Sequence, residues 1–478
     1  MRSAAYLILI ALWYGMPFQA TAQLTSPVSL EQLQSLASQQ AVDVLIAQRD
    51  NRVSQLEVSR LQAELKPQVR LDATIPSYFS SFRETIQPDG TVRFQPVNIN
   101  NSSVGLSATQ AVAQTGGAFQ LSTSLQRFDD LEQDFNIYNG SVIRLGYSQP
   151  LWGYNSLKWR KKLVPMLADE NDARLKAARL QAAADATVLF FNLAAAELAY
   201  TTADSNAFAS DRLLTIANER FVLGKISKGD LVQLELELAA AQQNRLRASR
   251  QRLAATTLIL DLIGQPYEGE SLSTVTPVLP QGEPIDEALA LSAAQSNRPE
   301  AIANARRLLQ AESSLEQNKR ENGFQANLSA SVGLIRSDPK LTEVYRDPQI
   351  EQVAELRLSV PLMDWGRRKT IVKQAEAELD LARTIGQREQ QSLSTQVRLA
   401  VQQYNQAQQE LDLLLTVRDL AVERYRITRE SYLLGAVPLT QLTFAQQARD
   451  QRLRDYLSGL ENAWTAHAQL NALTLYNF

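Results

Sequence analysis

The stretch SVPLMDWGRRKTIVKQAEAEL (residues 359–379) joins two kinds of secondary structure. Up to Pro361, apolar residues such as Leu356 and Leu358 alternate with polar ones, which is typical of a strand with one apolar and one polar face. After Gly366 the sequence is basic and then rich in Ala, Glu, Gln and Leu over several turns, which predicts a helix. A two-faced strand therefore leads almost directly into a long helix.

A second copy of this junction lies 211 residues earlier in the chain (361 − 150). The same offset relates two glycine-containing turns between helix-like segments, which we call the first helix turn (residues 221–231) and the second helix turn (residues 432–442). One offset kept by separate landmarks predicts an internal duplication. The matched residues are Pro150 with Pro361, Gly224 with Gly435, and Leu231 with Leu442.

The duplication predicts a first repeat over residues 23–282 and a second repeat over residues 283–478. Each repeat is expected to run helix, strand, strand, long helix, turn, helix. The long helices are expected from about residue 157 to 223 and from about residue 368 to 434, each about 100 Å long at ~1.5 Å per residue.

The strands of the first repeat are expected within about 68–150, and those of the second within about 324–362. The first repeat carries an insert at about 76–140, which has turn signals, polar runs and some strand-like alternation. The sequence leaves open whether this insert forms loops or an additional hairpin.

The N-terminus is typical of a signal peptide over residues 1–22. Arg2 precedes a short apolar run, and Ala20-Thr21-Ala22 is a small-x-small cleavage pattern before Gln23. An ordinary buried N-terminal helix is the alternative. The chain has no Cys, so a lipid-modified N-terminal cysteine, disulfides and thiol chemistry are excluded.

Composition excludes several other classes of protein. The net charge of −3 gives no basic field for nucleic acid, and a mean hydropathy of −0.23 with 21% charged residues argues against a bundle of membrane-spanning helices. The single His467, with no Cys and no phosphate-binding loop, offers no catalytic constellation. We therefore expect neither enzymatic activity nor a metal or other cofactor.

The two-faced strands have two interpretations. A soluble antiparallel sheet would turn its apolar face to a core, whereas a membrane barrel would turn that face to lipid. Export and the attached helices favour the barrel, with the candidate lipid-facing residues Leu145, Leu328, Leu356 and Leu358. Four strands cannot close alone in lipid; two chains would supply eight strands and three chains twelve.

In this order and spacing, the motifs resemble the TolC family of outer-membrane efflux proteins. The resemblance covers nearly all of the mature chain, and it rests on the duplication, the two helix turns, Asn297-Arg298-Pro299-Glu300, and the Pro-Leu-x-Asp-x-Gly-Arg-Arg pattern at 361–368. It implies a mainly α fold: a homotrimer with a twelve-stranded barrel in outer-membrane lipid, continued by an α-helical tunnel through the periplasm.

The resemblance also implies a function and partners. The chain would be the passive exit duct of a tripartite efflux or type I secretion system, joined to a periplasmic adaptor protein and an inner-membrane pump. The cargo is not implied. The alternative is a non-channel periplasmic coiled-coil adaptor or scaffold, although an adaptor normally has one helical hairpin rather than two copies with strands.

By the same resemblance, both helix turns would lie at the periplasmic tip, with Gly224, Leu231, Gly435 and Leu442 at the adaptor-docking turns. Family members place two Asp residues after the second turn as an acidic ring, but the matching positions here are neutral. Phe444 could form an apolar constriction or pack between helices. The candidate gate residues are Asp230, Gln233, Gln441 and Phe444, and the strand-to-helix exits are Pro150, Pro361, Asp364 and Gly366.

Overall fold

A computed structural model describes residues 26–269, 271–277 and 284–476. The signal peptide predicted for residues 1–22 lies outside the described residues. The helices of the described part are α1 Leu30–Gln40, α2 Val42–Glu64, α3 Ser156–Val222, α4 Lys228–Leu262, α5 Glu287–Asn297, α6 Pro299–Glu321, α7 Arg367–Leu433 and α8 Leu439–Thr474. Its strands are β1 Gln68–Thr74, β2 Tyr78–Ile86, β3 Val92–Val112, β4 Gly117–Asp130, β5 Phe135–Pro150, β6 Gln325–Asp338 and β7 Gln349–Ser359.

The order helix, helix, strands, long helix, shorter helix occurs twice along the chain. Helices α1 and α5 each have 11 residues, α2 and α6 each have 23, and α3 and α7 each have 67, while α4 has 35 and α8 has 36. Both long helices begin and end one residue before their predicted bounds. The repeat boundaries themselves stay a prediction.

All strands belong to one antiparallel sheet in the order β1-β3-β4-β5-β6-β7, with β2 also paired to β3. Strands β1 and β2 follow each other along the same edge of β3, so the sheet has six strand positions. Strand β3 is the longest, with 21 residues, because its two ends pair with different strands.

The insert of the first repeat is therefore built into the sheet. Strands β2, β3 and β4 and the start of β5 occupy residues that the sequence left open as loops or a hairpin. Asp89 lies in the turn between β2 and β3. Its carboxylate accepts hydrogen bonds from the backbone N–H and the hydroxyl of Thr91, at 3.0 and 2.7 Å. Each turn signal in the insert lies between two consecutive strands of the sheet.

The described residues divide by internal packing into two compact units, and each unit takes segments from both predicted repeats. Unit 1 contains the described residues of Met1–Val42, Gln181–Gly282 and Gln406–Ala468. Unit 2 contains those of Asp43–Leu180, Glu283–Asn405 and Gln469–Phe478. The sheet belongs to unit 2, whereas both helix turns belong to unit 1.

Unit 1 has its core around helix α3. Phe190 and Phe191 are fully buried, with their rings edge to face at 5.4 Å. One stretch of α3 is apolar and long enough to cross a membrane, and 44% of it is buried inside the protein. Because core helices of soluble regions pass the same test, this stretch alone does not indicate a membrane span.

Unit 2 combines a small apolar core with a buried ionic cluster. Its apolar core consists mainly of Ala and Val where α5, α7 and α8 meet, which lets these helices approach closely. The carboxylate of Glu170 on α3 is fully buried and lies 2.6 Å from both Arg306 of α6 and Arg174 of α3. A buried charge is costly unless it is paired, so this cluster fixes the contact between α3 and α6.

Candidate functional site

One face of the sheet, which we call the outer face, is apolar across neighbouring strands. The Cα register aligns apolar residues from five strands in a row, and β7 continues the face by pairing Leu356 with Leu328 and Leu358 with Ala326. The face exists because each strand alternates with period two and the register keeps these alternations in phase. The row is Val69, Ala108, Leu121, Leu145 and Val332.

In the part that the structure describes, the rest of the chain leaves the outer face uncovered except beyond Leu125, where Val344 packs against Gly140. The four residues that the sequence marked as lipid-facing all lie on it and are 36–56% exposed. A soluble sheet that covers a core would bury this face, as the alternative interpretation required. A contiguous apolar surface of this kind marks contact with a protein or a membrane. The residues are Leu145, Leu328, Leu356 and Leu358.

The outer face has polar and aromatic limits. Beyond Leu125, β4 carries Arg127 and Asp129 on this face, and their side chains pair at 2.9 Å. Toward the other end, the rings of Phe119 and Tyr147 lie 4.6 Å apart. Membrane barrels have an apolar band flanked by aromatic residues, and this face has such residues at the Phe119–Tyr147 end and a charged pair at the other.

The opposite face of the sheet, which we call the inner face, is polar. One row carries Ser107, Ser122 and Arg144 on successive strands, and it continues to Glu351 on β7. Arg144 and Glu351 form an ion pair across β6, where Gly333 leaves room between them. The sheet therefore separates an apolar surface from a hydrated, charged one.

The two strand-to-helix exits are built differently, although the sequence predicts them as copies. Asp364 lies just before α7, and its carboxylate accepts hydrogen bonds from the backbone N–H groups of Gly366 and Arg368, each at 3.0 Å. These bonds hold the pKa of Asp364 below its usual value, because they favour the ionised carboxylate. At the first exit, beyond Pro150, Asn155 accepts from the N–H of Lys158 at 3.0 Å.

Two aromatic residues beyond the first exit pack on a helix. The hydroxyl of Tyr154 lies 2.6 Å from that of Ser313, and the indole N–H of Trp159 donates to Glu316 at 2.9 Å. Their partners on α6 give these residues a structural role that spacing in the sequence did not reveal. Trp365, by contrast, is almost fully exposed.

The two helix turns have the same backbone geometry. Gly224 and Gly435 have φ of +69° and +77°, values that residues with a side chain rarely adopt. In each turn the residue after the glycine donates its N–H to a carbonyl five residues earlier, at 2.8 Å for Lys225 and 2.9 Å for Ala436. This hydrogen bond is typical of a glycine that ends a helix, so Gly224 and Gly435 end α3 and α7.

Asp230 has a structural role at the first turn. Its backbone N–H donates to the Ser227 hydroxyl oxygen at 3.1 Å, and its carboxylate accepts from the Ser227 N–H at 3.2 Å. This reciprocal pair is a capping box at the start of α4. The Ser-x-x-Asp spacing could have revealed it. Gln441 is the residue of the second repeat that matches Asp230. It lies three residues after Pro438 and is exposed.

The structure brings two of the candidate gate residues together. Gln233 of α4 and Phe444 of α8 line one shallow cavity of about 170 Å³. Phe444 is 67% exposed, so in a single chain it does not pack between helices, which was the alternative for this residue. Leu442 is buried, so its side chain packs inside unit 1 and is not accessible to a docking partner.

A polar network near the second turn was not anticipated. Asn206 of α3 donates to the carboxylate of Asp450 on α8 at 2.8 Å, and Arg449 donates to the Asn206 amide oxygen at 3.0 Å. The Arg449 guanidinium also stacks on Tyr425 of α7 at 4.1 Å. The network joins three helices over large separations in sequence, for which no local pattern gives a signal.

Comparison with solved structures identifies the same fold as the resemblance found in the sequence. No protein-family model and no curated protein sequence matches the chain. Solved structures do match: the CmeC outer membrane channel of Campylobacter jejuni has a TM-score of 0.67 at 14% identity, covering 93% of this chain and 85% of that one. The chain has the fold of TolC-type outer-membrane channels.

Two further structures with this fold match over nearly the whole chain. The MtrE outer membrane channel of Neisseria gonorrhoeae, solved in its open state, has a TM-score of 0.64 at 16% identity and covers 93% of this chain and 88% of that one. The outer membrane protein VceC of Vibrio cholerae has a TM-score of 0.65 at 14% identity, covering 93% and 96%. The resemblance drawn from sequence is confirmed for the fold.

Proposed function

We propose that the chain is the outer-membrane exit duct of a tripartite efflux or type I secretion system. The observation that carries the proposal is the sheet: an uncovered apolar face, backed by a charged polar face, in a chain with the fold of outer-membrane channels. Such a sheet is suited to hydrocarbon on one side and water on the other. The duct would be passive, with energy supplied by an inner-membrane pump.

Assembly follows from the edges of the sheet. In the described part of the chain, β7 pairs only with β6, and the β1–β2 edge pairs only with β3. An unpaired backbone group in hydrocarbon costs several kcal/mol, so each edge needs a partner strand from another copy. We take three copies as the assembly, as the resemblance implies.

The helix turns would form the periplasmic end, where the duct meets an adaptor protein. Docking there would use exposed residues beside the two glycines, such as Leu223 and Leu434, because Leu442 is buried. The gate would combine Phe444 with the neutral Gln441, whereas Asp230 serves mainly to cap α4. Export would depend on the predicted signal peptide at residues 1–22, and the two repeats would each contribute one helix turn.

Membrane fractionation of cells expressing the full chain tests the proposal. We expect the protein in the outer-membrane fraction, as a trimer that resists dodecyl sulfate until it is heated, and with ion conductance in planar bilayers. A freely soluble monomer from the periplasm would contradict the proposal. That result would support the coiled-coil adaptor or scaffold alternative.

A further inference from the structure

Strands β3 and β4 form a hairpin in addition to the strands expected from the sequence, and the proposed function does not require it. Strands β3 and β4 lie between the β1–β2 edge and β5, and their ladder runs without interruption from Ile99 paired with Asp130 to Val112 paired with Gly117. Strand β4 is in turn paired with β5 through most of its length. The hairpin is therefore part of the continuous sheet, with partner strands on both sides.

The hairpin also has the same two faces as its neighbours. Leu121 of β4 lies on the outer face, between Ala108 and Leu145, and is 45% exposed. The next residue, Ser122, lies on the inner face between Ser107 and Arg144. A hairpin that stood in water on both sides would have no reason to keep this alternation in phase with β5 and β6.

The hairpin strands are long enough to cross a bilayer. A transmembrane strand needs about 9–11 residues when it is tilted. The paired segments of β3 and β4 exceed that length, as do β5 and β6, and β7 reaches it with 11 residues. Beyond Ile99 the β2–β3 ribbon continues without β4, and Phe82 and Phe94 are exposed there.

We infer that the assembled barrel has eighteen strands, six positions from each of three copies, where the resemblance implies twelve. This inference rests on the proposed function, which supplies the membrane and the three copies. The occupant of each open edge is a second copy of this chain. All ladders are antiparallel, so across six positions β1 and β7 run in opposite directions, and the β7 edge of one copy can pair with the β1 edge of the next.

The consequence is a wider conduit at the outer membrane. Barrel diameter grows roughly linearly with strand number, so eighteen strands give about 1.5 times the diameter of twelve. Barrels of 16–18 strands leave an aqueous channel rather than an interior filled by side chains. The inner-face residues of the hairpin, Ser107 and Ser122, would line this channel.

Single cysteines test whether β4 lies in the wall, because the chain has no natural cysteine. The informative pair is Leu121→Cys and Ser122→Cys on β4. The matched pair is Val332→Cys and Ser331→Cys on β6, a strand that a barrel of either size contains. Val332 lies on the same outer row as Leu121, and Ser331 on the inner face. Each variant is assembled in nanodiscs as the full-length trimer and labelled with bimane.

We expect brominated phosphatidylcholine to quench bimane at Leu121→Cys as strongly as at Val332→Cys. Ser122→Cys and Ser331→Cys should react with a charged maleimide and escape quenching. If Val332→Cys is quenched and Leu121→Cys is not, β4 lies outside the wall and the eighteen-strand inference is wrong. If Val332→Cys also escapes quenching, the proposed membrane barrel itself is wrong. Native mass spectrometry gives the copy number, and any value other than three overturns the count.

Discussion

Replacing Leu145 by Arg separates the membrane barrel from a soluble sheet by its effect on stability. Leu145 lies on the outer face between Leu121 of β4 and Val332 of β6, and 49% of it is exposed in the single chain. The substitution therefore disturbs little packing within the chain. Its cost depends almost entirely on whether lipid or water lies against this face.

The two environments predict costs of different size. Arg on the lipid face near the middle of a bilayer costs about 2–4 kcal/mol, so three copies of Leu145→Arg would lose roughly 6–12 kcal/mol per trimer. On a water-exposed sheet, the same change at a half-exposed position would stay within about 0.5 kcal/mol. The difference is large enough to measure without precise energies.

The assay is urea unfolding of the trimer in lipid vesicles, followed by the loss of the heat-sensitive trimer band on a gel. Ser331→Arg is the control, because it adds the same side chain to the inner face, where substitutions have little effect on barrel stability. We expect Leu145→Arg to unfold at much lower urea concentration than Ser331→Arg. Equal midpoints for both variants and the unmodified protein would refute the assignment of the outer face to lipid.

Three other predictions concern the helices. Glu170→Gln should lower the free energy of unfolding by about 2–4 kcal/mol in thermal melts, because a buried carboxylate loses its charge beside two arginines. The control is Glu389→Gln, which removes one charge from an exposed ion pair and should cost less than about 1 kcal/mol. Divalent cations should block the unmodified channel weakly in planar bilayers and Phe444→Asp more strongly; block of the unmodified channel at low cation concentration would contradict the neutral gate. Gly435→Ala should destabilise the second helix turn by about 1 kcal/mol, because φ at this position is +77°. Gly386→Ala, inside α7, should instead stabilise the protein slightly. Hydrogen exchange measures both changes, and equal effects would contradict the assignment of the cost to the positive φ of Gly435.

The two long helices were predictable because their ends are marked locally, whereas the pair of helices before the strands of each repeat was expected as a single helix. Gly224 and Gly435 end the long helices, and the Pro-x-x-Asp-x-Gly pattern at Pro361 places the start of α7. Strand alternation at 325–334 was equally clear, since every second residue shares a face. These signals depend on neighbours within a few residues, so a single sequence contains them in full.

The remaining features depend on partners that are distant in sequence. The polar run Asn98–Ser103 fits a loop as well as a strand end, and only its pairing with β2, β1 and β4 decides the matter. The hydrogen bond from Asn206 to Asp450 likewise joins residues that are distant in sequence, so no local pattern predicts it. Asp230 is a different case, because the Ser-x-x-Asp spacing of a capping box is local and can be read from the sequence.

The parity of the insert explains how the sheet could grow without disturbing the rest of the chain. Adding one strand to an antiparallel sheet would reverse β5, and Pro150 would then leave the sheet at the wrong end for α3. Adding a hairpin keeps the direction of β5 and keeps both exits at the same end, since Leu151 donates its N–H to Ala326, near the start of β6. It also keeps β1 and β7 antiparallel, which is the condition for pairing the edges of neighbouring copies. An even number of added strands is thus the only change in strand count that preserves both the helical exits and closure of the barrel.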